Sequence, residues 1–275
     1  MNQIVFIHGL GGKPPKESYL KEWIQSLIRD NPNLKLLPGV TNYSMIYWAD
    51  LRGKIAPQKE HRTRQIVNGL NITQRRAIQT KSDKSVNISW WNHLLDWIVD
   101  RIFYRFDIIM PHLLDWLVDD IYNYFYHYAN RQSIGYRFDK VMLEAQSRLR
   151  EGDKLILISH SMGTIIALDR LQSFPYRVDL LITMGSPLGM EWIQSKLGRP
   201  GYPWVVKRWL NIFDIQDPIS IVDQELRDDF PNADSPISDI ETPTNHNQKG
   251  EVDHHHWNGY LGSEALRIAI DDTLT

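Results

Sequence analysis

The run Lys154-Leu155-Ile156-Leu157-Ile158-Ser159-His160-Ser161-Met162-Gly163-Thr164 admits few folds. A short apolar strand enters a turn of small residues, and an apolar helix (Ile165, Ile166, Ala167, Leu168) follows at once. So tight a turn accepts only small flanking side chains. Ser159 and Gly163 flank Ser161 at two residues on either side. The geometry pushes the Ser161 hydroxyl out at the C-terminal edge of the strand. The next N–H, from Met162, falls at a helix N-terminus, where donors lack intrahelical acceptors and the dipole favours an anion.

Strand, turn and helix around S-x-S-x-G provide the context of a nucleophile elbow, with Ser159 where the usual pattern has Gly. The bland alternative is a βα turn that happens to carry serines. Three further features weigh against it. Gln3-Ile4-Val5-Phe6-Ile7 reads as a buried strand and runs into His8-Gly9-Leu10-Gly11-Gly12. Glycines after a strand let backbone N–H groups approach a ligand closely. In acyl transfer, the N–H of Leu10 would pair with that of Met162 as an oxyanion hole. A phosphate loop is disfavoured, because neither G-x-x-x-x-G-K-[ST] nor G-x-G-x-x-G occurs. His8 reads as a structural residue of the turn.

The second feature is a carboxylate in Trp209-Leu210-Asn211-Ile212-Phe213-Asp214-Ile215-Gln216-Asp217-Pro218, a strand that breaks into a loop. Asp217 lies beyond the strand end, where it can turn back toward a histidine. Asp214 is nearer the strand and suited to bracing the loop. The third feature is Asp253-His254-His255-His256-Trp257-Asn258-Gly259-Tyr260-Leu261, ahead of a final helix with Ser263 as its N-cap. A general base belongs on such a loop. A metal site or a polar surface turn are the other readings of three adjacent histidines. Consecutive residues of an extended loop point to different sides, and the usual zinc spacings are missing.

With HGLGG, SHSMG, TMGSPLG (Thr183 to Gly189), DIQDP and HHHWNGYL in this order, the chain resembles the α/β-hydrolase superfamily, of the lipase/esterase type. The resemblance covers roughly residues 1–50 and 135–275. It implies an α/β-hydrolase fold: a mostly parallel sheet with helices on both faces, N-terminal strands trimmed, and an inserted helical cap. It implies a Ser161, Asp217, His255 triad, with His256 as the alternative base and His254 not excluded by the pattern. The TMGSPLG stretch would line the mouth of the site. The expected activity is serine hydrolysis of carboxylic, lipid-like acyl esters, with no cofactor and no metal. Acyltransfer or thioester cleavage by the same serine is the alternative within the class. A catalytically idle fold that binds a lipid or partner is the alternative outside it.

Strands are expected at 3–8, about 44–49, 154–159, about 178–184, about 209–214 and weakly near 237–243. The hydrolase core spans 1–51 and 134–275, and 52–133 forms a helical cap or lid. That insertion begins polar and basic, then carries a near-repeat. His93-Leu94-Leu95-Asp96-Trp97-Ile98-Val99-Asp100 recurs as His112-Leu113-Leu114-Asp115-Trp116-Leu117-Val118-Asp119, with Pro111 between the copies. Polar residues at 112, 115, 119, 123 and 127 fall on one helical stripe, and the rest is apolar or aromatic. Such a face packs on the core or its twin, lines an acyl pocket, or touches a membrane surface peripherally. His93, His112 and His127 lie on the polar stripe and read as solvated or capping residues.

The chain has 275 residues, 42% of them hydrophobic, a net charge of −2 and no cysteine. That fits one large α/β domain with an insertion, or two small domains, and excludes a disulfide framework. No basic stripe points to nucleic acid. No run approaches the roughly 18 apolar residues of a membrane span. The first strand begins within two residues of Met1, which leaves no room for a leader, so a cytoplasmic location is expected. Composition does not choose between monomer and dimer.

Overall fold

A computed structural model describes residues 1–9, 13–30, 41–54, 120–121, 123–220 and 223–275. Most of the insertion, with its near-repeat and with His93 and His112, lies outside the described residues, as does Leu10.

Six strands form one open sheet: β1 (Asn2–Ile7), β2 (Thr41–Ile46), β3 (Leu155–His160), β4 (Leu180–Met184), β5 (Trp209–Phe213) and β6 (Ser238–Glu241). Their spatial order is β2-β1-β3-β4-β5-β6, and all five pairings are parallel. Unbroken apolar runs such as Leu155–Ile158 arise because a parallel strand is covered on both faces. Val5, Ile7, Leu155, Leu157 and Leu181 face one core, and Ile4, Phe6, Ile156, Ile158 and Ile182 the other. Among the described residues β6 is an edge strand, short and mostly exposed, as a sheet edge should be.

Helices cover both faces. On the first lie α2 (Tyr128–Ser147), α3 (Met162–Ser173) and α4 (Glu191–Lys196), and on the second α1 (Lys16–Asp30), α5 (Trp257–Leu261) and α6 (Glu264–Leu274). Ser263 caps α6 through an acceptor bond from the Leu266 N–H. Two Arg–Asp forks, each joined by a tyrosine hydroxyl, tie α3 to α2 and to the segment before it. Arg131 and Tyr124 converge on Asp169, and Arg170 and Tyr176 on Asp139. Ile121 and Tyr124, at the end of the aromatic stretch, are buried in the core of that face.

The second strand lies three residues earlier than the pattern suggested, at Thr41–Ile46. Beyond Ile46 the chain is drawn off the sheet. The Trp48 N–H donates to His8 Nε2 at 3.1 Å, Arg137 donates to the Tyr47 carbonyl at 2.8 Å, and a 3₁₀ turn over Ala49–Lys54 follows. The apolar Tyr47-Trp48-Ala49 therefore packs as a turn beside the sheet.

The strand order reverses between β1 and β3: β2 lies on one side of β1, and every later strand on the other. The crevice at the carboxyl ends of such a switch point is where open α/β sheets place ligands.

Candidate active site

Ser161 sits at that switch point, between β3 and α3, with φ 55° and ψ −129°. A non-glycine residue there costs on the order of 1–3 kcal/mol and persists only where its surroundings hold it. Its N–H donates to the Met184 carbonyl at 3.0 Å, and its carbonyl accepts from Thr164 N–H and Oγ1–H at 2.9 and 2.7 Å. Two glycines make room. A Cβ on Gly9 would stand 2.5 Å from Ser161 Cβ, and one on Gly163 2.8 Å from the carbonyl oxygens of Ile7 and His8. The end of β1 and the start of α3 thus press together around the serine.

Ser159 shows why serine can replace the usual first glycine. Its buried hydroxyl donates to the Ile182 carbonyl of β4 at 2.9 Å.

His255 Nε2 lies 2.9 Å from Ser161 Oγ, and His255 Nδ1 lies 2.8 Å from both carboxylate oxygens of Asp217. A carboxylate only accepts, so Nδ1 carries the hydrogen and Nε2 is left to accept from the serine. Asp217 and Ser161 have no exposed surface, and His255 only 8%. The structure therefore brings Ser161, His255 and Asp217 into one buried hydrogen-bonded chain. Met162 opens α3, where its N–H has no acceptor one turn back.

The other two histidines have separate partners. His254 Nδ1 meets Asp214 Oδ2 at 2.8 Å, and His256 Nδ1 accepts from Asn258 N–H at 3.2 Å as the N-cap of α5. Asp214 also accepts from Gln216 and Asn245 N–H, so it braces the loop that carries the histidines.

Gly185 and Ser186 of the TMGSPLG stretch abut this chain. A Cβ on Gly185 would meet Asp217 Oδ2 and His255 Nδ1, and Ser186 Oγ contacts Thr164 Oγ1 at 2.9 Å. His8 lies behind the serine. Its Nδ1–H donates to the Gly9 carbonyl and its Nε2 accepts from Trp48 N–H, which fixes the neutral ring. Burial, opposed by the Gly9 bond, lowers its pKa to about 3.

Three residues near the site carried no role in the sequence reading. His160 is held well below the ordinary histidine range, by burial first and then by His255, Lys13 and His256, and it donates from Nε2 to the His255 carbonyl at 2.9 Å. Asn245 donates to the His254 carbonyl. Tyr260, one helical turn beyond His256, donates to Asp217 Oδ2 at 2.6 Å. The polar stretch holding Asn245 offered no signal. Only the position of Tyr260 soon after the histidines hinted at its proximity.

Neither a protein family nor a curated protein matches the chain. Among the described residues no helix is long and apolar enough to cross a membrane.

Proposed function

We propose that this chain is a serine hydrolase of the α/β-hydrolase fold, of the lipase/esterase type, that cleaves carboxylic esters through an acyl-enzyme. The observation that carries the reading is the unbroken Ser161–His255–Asp217 chain on a strained serine at the switch point of a parallel sheet. Strained non-glycine backbone clusters at functional sites, and a serine needs an adjacent, oriented base to act as a nucleophile.

In the proposed reaction His255 Nε2 takes the Ser161 proton as Oγ attacks the acyl carbon. The carbonyl electron pair moves onto oxygen, which the Met162 N–H at the start of α3 would receive; the sequence pattern nominates Leu10, outside the described residues, as the second donor. Asp217 holds the imidazole in its tautomer and offsets the imidazolium charge. The carbonyl re-forms, the C–O bond to the alcohol breaks, and the imidazolium proton goes to the departing oxygen. Water, deprotonated by the same histidine, then attacks the acyl-serine; the C–Oγ bond breaks, the imidazolium returns its proton to Ser161 Oγ, and the acid is released. The aromatic sequence of 93–128 supports a lipid-like acyl group and peripheral contact with a lipid surface.

The test is hydrolysis of p-nitrophenyl esters from acetyl to palmitoyl by wild type and Ser161→Ala. Turnover that vanishes in the variant, with a preference for longer chains, is expected. No turnover on any ester, together with no labelling of Ser161 by a fluorophosphonate, overturns the reading.

A further inference from the structure

We propose that Tyr260 is a fourth, positioning member of the Ser161–His255–Asp217 chain, whose hydroxyl anchors the Asp217 carboxylate and reduces the negative charge felt by His255. Its catalytic consequence rests on the serine-hydrolase reading, while the charge coupling is a property of the resting protein.

Asp217 Oδ1 accepts from Ile219 N–H and His255 Nδ1–H, both at 2.8 Å, and Oδ2 accepts from Tyr260 at 2.6 Å as well as facing Nδ1. The Tyr260 oxygen accepts from Asp214 N–H at 3.2 Å. Its other neighbouring acceptor, the His254 carbonyl, is farther away at 3.3 Å, so the single hydroxyl hydrogen belongs to the carboxylate. Tyr260 and Asp217 are fully buried, so no bulk water replaces a missing donor. Burial first, and then the Asp217 charge, hold the phenol well above its ordinary pKa, so it remains a donor. A short bond to a charged acceptor is roughly twice as strong as a neutral one.

Charge shared with the phenol is not available to the imidazolium. Tyr260 therefore draws off part of the carboxylate charge that faces His255, and sets the carboxylate plane that orients the ring. The other groups facing His255 differ in kind. His160 bonds its carbonyl with ring centroids 4.8 Å apart, Asp253 accepts from its N–H at 3.3 Å, and Lys13 and His256 act on neighbouring His160. The Asp214–His254 pair lies beyond Tyr260. Replacing the hydroxyl by hydrogen leaves all of these groups in place and, apart from the bond to Asp217, breaks only the 3.2 Å bond from Asp214 N–H.

Tyr260→Phe tests the proposal, with the His255 titration followed by NMR in the absence of substrate and kcat/KM for ester turnover measured against pH. The His255 midpoint is expected to move to higher pH and the acid limb of kcat/KM to move with it. The plateau kcat falls about tenfold at unchanged KM. Tyr19→Phe removes a buried hydroxyl on the same face of the sheet that makes no bond to Asp217, and should leave both midpoints in place. An unchanged His255 midpoint in folded Tyr260→Phe overturns the proposal, because a merely packed tyrosine predicts that result. Should Tyr260→Phe fail to fold, the bond is read from its other end. The Tyr260 hydroxyl proton, downfield in wild type, moves upfield in Asp217→Asn; its absence from the downfield region of wild type also overturns the proposal. A shifted His255 midpoint in a protein without Ser161-dependent turnover would support the coupling and reject the hydrolase reading.

Discussion

The Cβ that Gly185 lacks would stand 2.6 Å from Oδ2 of Asp217. The same atom would lie 3.2 Å from His255 Nδ1, and Gly185 holds φ +51°, a conformation unfavourable to any side chain. Gly185→Ala must therefore displace the carboxylate or bend the end of β4. A misplacement approaching 1 Å costs about a hundredfold in rate. We expect kcat/KM to fall by about that factor, with the melting temperature lowered only by the local strain. Unimpaired turnover would mean that the position of Asp217 does not matter to the chemistry.

Asp214 and Asp217 are three residues apart and hold different histidines, so their amide variants separate two roles. Asp217→Asn turns an acceptor into a possible donor opposite Nδ1 and favours the wrong imidazole tautomer. Loss in kcat of about ten-thousandfold is expected, with the fold retained. Asp214→Asn weakens the bonds to His254, Gln216 and Asn245. It should act chiefly on stability, read as a lower denaturant midpoint, with a much smaller kinetic loss. The opposite ranking would move the acid to Asp214.

His254, His255 and His256 should give three distinct phenotypes. His255→Ala removes turnover and slows fluorophosphonate labelling to the solvent-exposed-serine level. His256→Ala removes the N-cap of α5 and costs about 1 kcal/mol by denaturation, with turnover kept. His254→Ala leaves Asp214 without its ring partner and lowers both moderately. Equal loss of activity in His255→Ala and His256→Ala would put the assignment of the base in question.

The strand positions and the elbow were legible because buried parallel strands and tight small-residue turns impose local patterns. The grouping of Ser161 with Asp217 and a histidine came from the family resemblance that the motifs carry, and the structure joins these side chains by hydrogen bonds. The choice of His255 over His256 was not. It depends on where α5 starts, and His256 is consumed as its cap. The end of β2 was hidden because Tyr47-Trp48-Ala49 is as apolar as a strand, and only a bond from Trp48 to distant His8 diverts it. Tyr260 and Asn245 escaped as well, because their contacts with Asp217 and His254 form only once separate loops meet over the sheet.

The neutral His8 makes stability depend on pH. Its folded pKa of about 3 lies below the ordinary value of 6.5, so the unfolded chain binds a proton that the folded one refuses between those values. The stabilisation is fully present above pH 6.5 and is lost as pH falls, by about 1.4 kcal/mol per unit. His160 is shifted in the same direction and adds to the slope. His256 is lowered as well, by burial first, and His8→Asn removes one of these three titrating rings. Between pH 7 and pH 5 the variant should lose about 2 kcal/mol less than wild type, measured by urea denaturation at each pH, although it starts from a lower value because the bond to Trp48 is disturbed. Parallel stability curves for the two proteins over that range would show that His8 is protonated in the folded state and that its ring does not hold the turn behind Ser161 in the neutral form.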